Sequence, residues 1–199
     1  MSIFKKIIDT VIDTTQRRAA FTQELCEHLR RFGVTATVVD PRTVEEVEGS
    51  YAYGLARVED RNINFVEISM DVDGDRNSSF YCTYHARGNI EGYDDAVDVE
   101  GESTRKGLLS RRVVDYQWTG GDLAQSLNGD AALKTQLLAT QAGPISVKPS
   151  LRFHGTVSIR HGNTTWGGAW KKRAFPTRDA FEIYDRIAHH IRRFAGAPS

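Results

Sequence analysis

Two hydrophobic periods divide the chain. Near the N-terminus apolar side chains recur at helical spacing, at Ile3, Phe4, Ile7, Ile8, Val11 and Ile12 and again at Leu25, Leu29 and Phe32. Ser2 stands at the cap position and Gly33 at the stop, which predicts a helical segment over 3–32, continuous or broken near Thr14 and Thr15. The period then drops to two. Strands are predicted over 34–39, 51–58, 63–71, 80–86 and 111–118, bounded by the Gly, Pro, Asn and Asp residues that interrupt pairing. Residues 88–107 are rich in Gly, Asp and Glu with little periodicity, and are expected to form a mobile loop. Helical spacing returns at Leu123, Leu127, Leu133, Leu137 and Leu138, with Asp122 and Asp130 as caps and Gly143-Pro144 as the stop. A last helix over 177–194 would bury Phe181, Tyr184, Ile187, Ala188, Ile191 and Phe194.

Strands grouped together, with helices between the groups, predict an α+β fold. The expected architecture is a mostly antiparallel sheet with N-terminal, central and C-terminal helices packed on one face. A single α+β domain over 1–199 is expected, organised as an N-terminal helical segment (1–33), an acidic β-rich half (34–119) and a basic α/β half (120–199).

Two hairpins have registers that can be argued. Over 151–173, Leu151, Phe153, Gly155, Val157 and Ile159 alternate with Arg152, His154, Thr156, Ser158 and Arg160, and Gly162-Asn163 suits a type II′ turn. That turn would pair Ile159 with Trp166, Val157 with Gly168 and Gly155 with Trp170, placing both Trp rings in the core. The opposite face would present Arg152, His154, Arg160 and Lys171 around small hydroxyl residues, the cations and donors that an anion site needs. The plain alternative is a solvated polar face, the ordinary condition of an antiparallel sheet covered on one side. In the second hairpin Val66, Ile68, Met70 and Val72 should share a face with Phe80, Cys82 and Tyr84. All are even-numbered, so the loop must hold an odd number of residues, three or five.

That loop crowds Asp71, Asp73, Asp75 and Asn77 into seven positions, the oxygen ligands of a hard cation. The string Asp71-Val72-Asp73-Gly74-Asp75-Arg76 resembles the metal loop of phosphohexomutases, Asp-x-Asp-Gly-Asp-Arg. The resemblance spans six residues of 199 and implies a cation loop; the phosphorylated-serine motif of those enzymes is absent, and their reaction is not implied. The pattern is not an EF-hand, whose glycine stands at the sixth loop position. Asp, Asn and Gly are equally the ordinary residues of a hairpin turn.

Composition narrows the classes. The chain has 199 residues, 40% hydrophobic and 26% charged, which suits a globular protein rather than a disordered one. No apolar run approaches the ~18 residues of a membrane span, and the N-terminus does not read as a secretory signal. Two cysteines cannot build a disulfide framework. Cytoplasmic residence is therefore the default expectation. The net charge of zero conceals an asymmetry, with 11 Lys/Arg against 19 Asp/Glu in residues 1–100 and 15 against 7 thereafter. A pI near 7 argues against a dedicated nucleic-acid binder, although the basic C-terminal half keeps that reading as a further alternative.

Signatures of covalent and phosphate chemistry are missing: there is no Gly-x-Ser-x-Gly, no phosphate loop and no His-Glu-x-x-His. The six histidines show no clustering in sequence; Cys82 and His85, three apart on a strand, should face opposite sides. The favoured reading is a non-catalytic binding protein for a partner protein or a small anionic ligand, using an exposed polar sheet face, with a homodimer as one form it could take. The alternative is a metal-dependent hydrolase or transferase built on loop 71–77. No cofactor is expected beyond a divalent cation in that second case.

Overall fold

The computed structural model describes residues 18–45, 53–73, 77–88, 95–107, 111–150, 153, 156–161 and 175–196. Eight strands form one sheet: β1 (Ala36–Val39), β2 (Gly54–Val58), β3 (Ile63–Asp73), β4 (Asn77–Arg87), β5 (Val99–Lys106), β6 (Arg112–Gly120), β7 (Ile145–Pro149) and β8 (Thr156–His161). Their order across the sheet is β1-β2-β3-β4-β8-β7-β5-β6, and every neighbouring pair is antiparallel. Four helices are described: α1 over residues 18–30, α2 (Leu123–Asn128), α3 (Ala131–Ala139) and α4 (Arg178–Phe194).

Strand alternation sends one set of side chains toward the helices. Ala56, Val58, Val66, Ile68, Tyr84, Val99, Ile145, Val147, Val157 and Ile159 share a core with Leu25 and Leu29 of α1, Leu127 and Leu137 of α2 and α3, and Phe181, Ile187 and Ile191 of α4. Full burial of each such side chain stabilises the fold by roughly 1.5–3 kcal/mol relative to exposure. Helix α1 comes so close to β2 that a Cβ on Gly54 would overlap the Thr22 hydroxyl. Among the described residues no helix is long and apolar enough to cross a membrane.

The β3–β4 register is the expected one. Val66 pairs with Tyr84, Ile68 with Cys82 and Met70 with Phe80, and Asp73 pairs with Asn77 across a three-residue loop. Helix α4 starts where Thr177 caps the Ala180 N–H. Its buried stripe includes Ile183 and Asp185 besides the expected residues, whereas Phe194, expected inside, is 41% exposed. The central helix is two helices: Asp130 caps α3 by accepting from the N–H groups of Ala132 and Leu133, and Asp122 makes no cap hydrogen bond. Residues 3–17 of the expected N-terminal helix lie outside the described residues.

Two expectations are overturned. The supposed loop 88–107 contains β5, whose Val99 and Gly101 lie beneath the core while Glu100 and Glu102 point away from it. A small residue is required there, because a Cβ on Gly101 would stand 2.7 Å from the Tyr116 hydroxyl and 2.8 Å from the Trp118 ring. The hairpin 151–173 does not form as drawn. Ile159 pairs with Tyr84 on one side and Val147 on the other, and Val157 with Ala86 and Pro149, so both edges of β8 are occupied by β4 and β7. Trp166, Gly168 and Trp170, the partners proposed from sequence, lie outside the described residues. The strand is also shorter than its alternation suggested, because the chain turns between β7 and β8: Ser150 N–H donates to Thr156 O, and Thr156 N–H to Phe153 O. That turn moves Phe153 off the face of Val157 and Ile159 and onto the opposite one, beside Phe65.

The outer edge of β6 is closed by side-chain amides. Asn128 accepts from Trp118 N–H (2.9 Å) and donates to Trp118 O (2.8 Å), and Gln141 accepts from Val113 N–H (2.7 Å) and donates to Val113 O (3.4 Å). Each amide takes the place of a neighbouring strand, which protects an edge from pairing with another chain.

Candidate functional site

The face of the sheet opposite α1–α4 divides into two regions. Over β2–β4 it carries a second, smaller core of Val44, Leu55, Phe65 and Phe153. Enclosed with it is a polar group of Glu67, Ser69, Thr83 and His85, none more than 8% exposed. Glu67 sits between two partners: Ser69 Oγ donates to its Oε1 at 3.1 Å, and His85 Nε2 lies 3.1 Å from its Oε2. Phe153 stacks on the His85 ring with centroids 3.8 Å apart. Thr83 Oγ1, directly across from Glu67 in the register, is buried with no hydrogen-bond partner among the described residues. His85 and Cys82 face opposite sides of the sheet, as their spacing requires.

Over β8, β7, β5 and β6 the described residues of the same face are polar. Arg160, Lys148, Glu102, Gln117 and Thr119 are exposed and Ser146, Ser158 and Glu100 are half-buried. Lys148 Nζ lies 3.0 Å from Glu100 and 3.7 Å from Asp98, and Ser146 Oγ donates to Glu100 at 2.9 Å. The Arg160 guanidinium lies 4.7 Å over the Tyr81 ring. Of the four anion-site residues expected from sequence, Arg160 is on this face, and Arg152, His154 and Lys171 lie outside the described residues. Of the metal-loop residues, Asp71, Asp73 and Asn77 occupy paired strand positions beside the hairpin turn, and Asp75 lies outside the described residues. Among the described residues no three His, Cys, Asp or Glu side chains are placed to hold a metal.

A second polar group sits on the helix side, where α2, α3 and α4 meet. Asp130 accepts a bidentate pair from Arg186, Nε at 2.5 Å and Nη2 at 2.8 Å, beyond its two cap hydrogen bonds. His190 Nε2 is 2.8 Å from Asp130 Oδ2, and His190 Nδ1 is 2.8 Å from Ser126 Oγ. Partial burial would raise the Asp130 carboxyl, but the hydrogen bonds from Arg186, His190 and the Leu133 N–H outweigh it and hold the group well below the usual carboxylate range. Beside it lies a cleft of about 420 Å³ whose lining includes Asn62, Gln136, Arg186, His190 and Arg193. Sequence reasoning identified Asp130 only as a cap; Ser126 and His190 gave no signal, because the pair is 64 residues apart and on different helices.

Other titratable groups are structural. Asp185 accepts from the N–H groups of Asn62 and Ile63 at 2.8 and 3.1 Å, which holds the turn before β3 against α4. His28 Nε2 donates to Pro176 O at 2.8 Å and ties α1 to the start of α4. Burial pushes the Cys82 thiol up to about 12 and raises Cys26 as well, so neither is a poised nucleophile. Tyr84 and Tyr184 stack with centroids 4.3 Å apart, and burial raises both phenols. No family model, curated protein or solved structure matches the chain.

Proposed function

We propose that this is a binding protein that docks a partner protein on the face of β8, β7, β5 and β6 opposite the described helices. The observation that carries the reading is the contrast on that face among the described residues: the half over β2–β4 carries the apolar Phe65 and Phe153, and the half over the other four strands presents exposed polar side chains. Four strands span about 14 Å at the ordinary spacing, a flat and wide surface better matched to a protein than to a small molecule, which binds in concave sites. Charges of both signs stand together there, Arg160 and Lys148 with Glu100 and Glu102. Such a mixture suits a polar protein surface and disfavours nucleic acid, whose phosphates would meet the carboxylates. A small anion is the weaker reading, because Lys148 is already engaged by Asp98 and Glu100 and, among the described residues, leaves Arg160 as the main cation on this half. With the β6 edge closed by Asn128 and Gln141, contact through the face is favoured over strand addition at that edge.

The test places a photo-crosslinking residue at Gln117 or Arg160 in the cell that makes the protein. The expected result is one adduct of defined mass from both positions, lost on Lys148→Glu, with none from Gln23 on α1. An adduct at twice the chain mass would make the partner a second copy. Equal yields from Gln117, Arg160 and Gln23, or no adduct from either face position, would refute the reading.

A further inference from the structure

We infer that Ser126 is a nucleophilic serine with His190 as its general base, able to take an acyl group from a carboxylic ester that has a good leaving group. The inference is independent of the docking face, since the array lies on the helix side of the sheet. Two observed distances define it: Ser126 Oγ to His190 Nδ1 and His190 Nε2 to Asp130 Oδ2, both 2.8 Å. The proton positions follow from chemistry. Asp130 already accepts from Arg186 and from two backbone N–H groups, so it is ionised and can only accept. In the neutral imidazole the Nε2 must then carry the hydrogen that Asp130 accepts. Nδ1 is left with a lone pair, and Ser126 O–H donates to it. Nucleophile, base and orienting carboxylate stand in the order that activated serines require, recognised by geometry rather than by sequence position.

Each element places its part. Ser126 is exposed on α2, one turn before the Gly129–Asp130 break, so an ester can reach its hydroxyl from solvent. His190 lies on α4, one turn after Arg186, which puts base and clamp on the same helical face around Asp130. Asp130 and Arg186 are positioning residues; Ser126 and His190 meet the reacting atoms. The array supplies a base and its orienter, and an ester with a good leaving group asks the least of any further donor.

In the first step the bond from Ser126 Oγ to the acyl carbon forms while the serine proton passes to His190 Nδ1. His190 then returns that proton to the departing oxygen as the ester C–O bond breaks, which releases the alcohol. Water attacks the acyl-serine by the same route, giving the carboxylic acid and restoring Ser126. The net change is hydrolysis, ester plus water to acid plus alcohol.

The test treats the full chain with an alkyl fluorophosphonate, whose phosphorus bonds to a nucleophilic serine oxygen as fluoride leaves, and reads intact mass and peptide maps. The expected result is one adduct per chain on Ser126, absent from Ser126→Ala and formed about a hundredfold more slowly in His190→Gln. Labelling should also disappear in urea, where Ser126 remains but the array does not. That arm keeps the test decisive should His190→Gln fail to fold. No adduct under conditions that label a known serine esterase, an adduct at another residue, or equal labelling of folded and unfolded chain would overturn the inference.

Discussion

Two groups in this molecule contain the same three kinds of side chain, a serine, a histidine and a carboxylate, linked in different orders. In the sheet, Glu67 stands in the middle, accepting from Ser69 and facing His85. Between the helices, His190 stands in the middle, with Ser126 on one nitrogen and Asp130 on the other. The order decides what the serine can do. A hydroxyl donating to a carboxylate has its proton held by a weak base, and Ser69 is buried, with Phe153 stacked on the neighbouring His85 ring. A hydroxyl donating to an imidazole has its proton directed at a nitrogen lone pair, and Ser126 is exposed. The first group therefore acts by burial and holds two strands in register, whereas the second is arranged for chemistry at the surface.

The comparison can be broken most forcefully at the buried group. Glu67→Ala should destabilise the fold by about 3–5 kcal/mol, because it breaks the buried contact between its Oε2 and His85 Nε2; chemical denaturation checks this, and a wild-type midpoint would remove the structural role. Asp130→Ala should cost about 2–4 kcal/mol, the sum of a lost helix cap and lost charge-assisted hydrogen bonds from Arg186 and His190. Its pH dependence has a defined sign. The folded carboxyl lies below its unfolded value, so the stabilisation is complete above about pH 4 and is lost as pH falls through the folded value. The stability gap between wild type and Asp130→Asn should thus close as pH falls from about 4 into strong acid; a gap that widens over that range would contradict the assignment. The smallest effects sharpen the contrast between the serines. Ser69→Ala should cost about 1 kcal/mol and leave fluorophosphonate labelling untouched. Ser126→Ala should cost less than about 0.5 kcal/mol and abolish it.

Much of the sheet was legible because its apolar positions keep strict parity. The even-numbered residues from Val66 and from Cys82 onward specify their own register, and the amphipathic stripe of α4 with its Thr177 cap specifies that helix. Strand β5 was hidden for a physical reason: Tyr116 and Trp118 of β6 lie over it, so its core face needs the small residues Gly101 and Ser103 and shows little hydrophobic signal. The neighbours of β8 were hidden because local alternation cannot reveal which distant strand takes an edge, and β4 is some 70 residues earlier in the chain. The polar groups follow the same division. Glu67 and His85 occupy odd positions that look like a solvent face, yet both are buried, with Phe153 stacked on His85 after an unforeseen turn. Asp130 was readable as a cap from its place before a Leu-periodic run, but its meeting with Arg186 and His190 depends on how α4 crosses α3, which no local pattern encodes.

The role of Ser126 depends on where the imidazole proton of His190 sits. A long-range proton–nitrogen correlation spectrum of the histidine rings, assigned with His190→Gln and His85→Gln, reads that position directly. The account predicts that neutral His190 carries its hydrogen on Nε2 and leaves Nδ1 as an acceptor for Ser126. A spectrum with the hydrogen on Nδ1 would contradict it, because Ser126 would then face a donor and have no base.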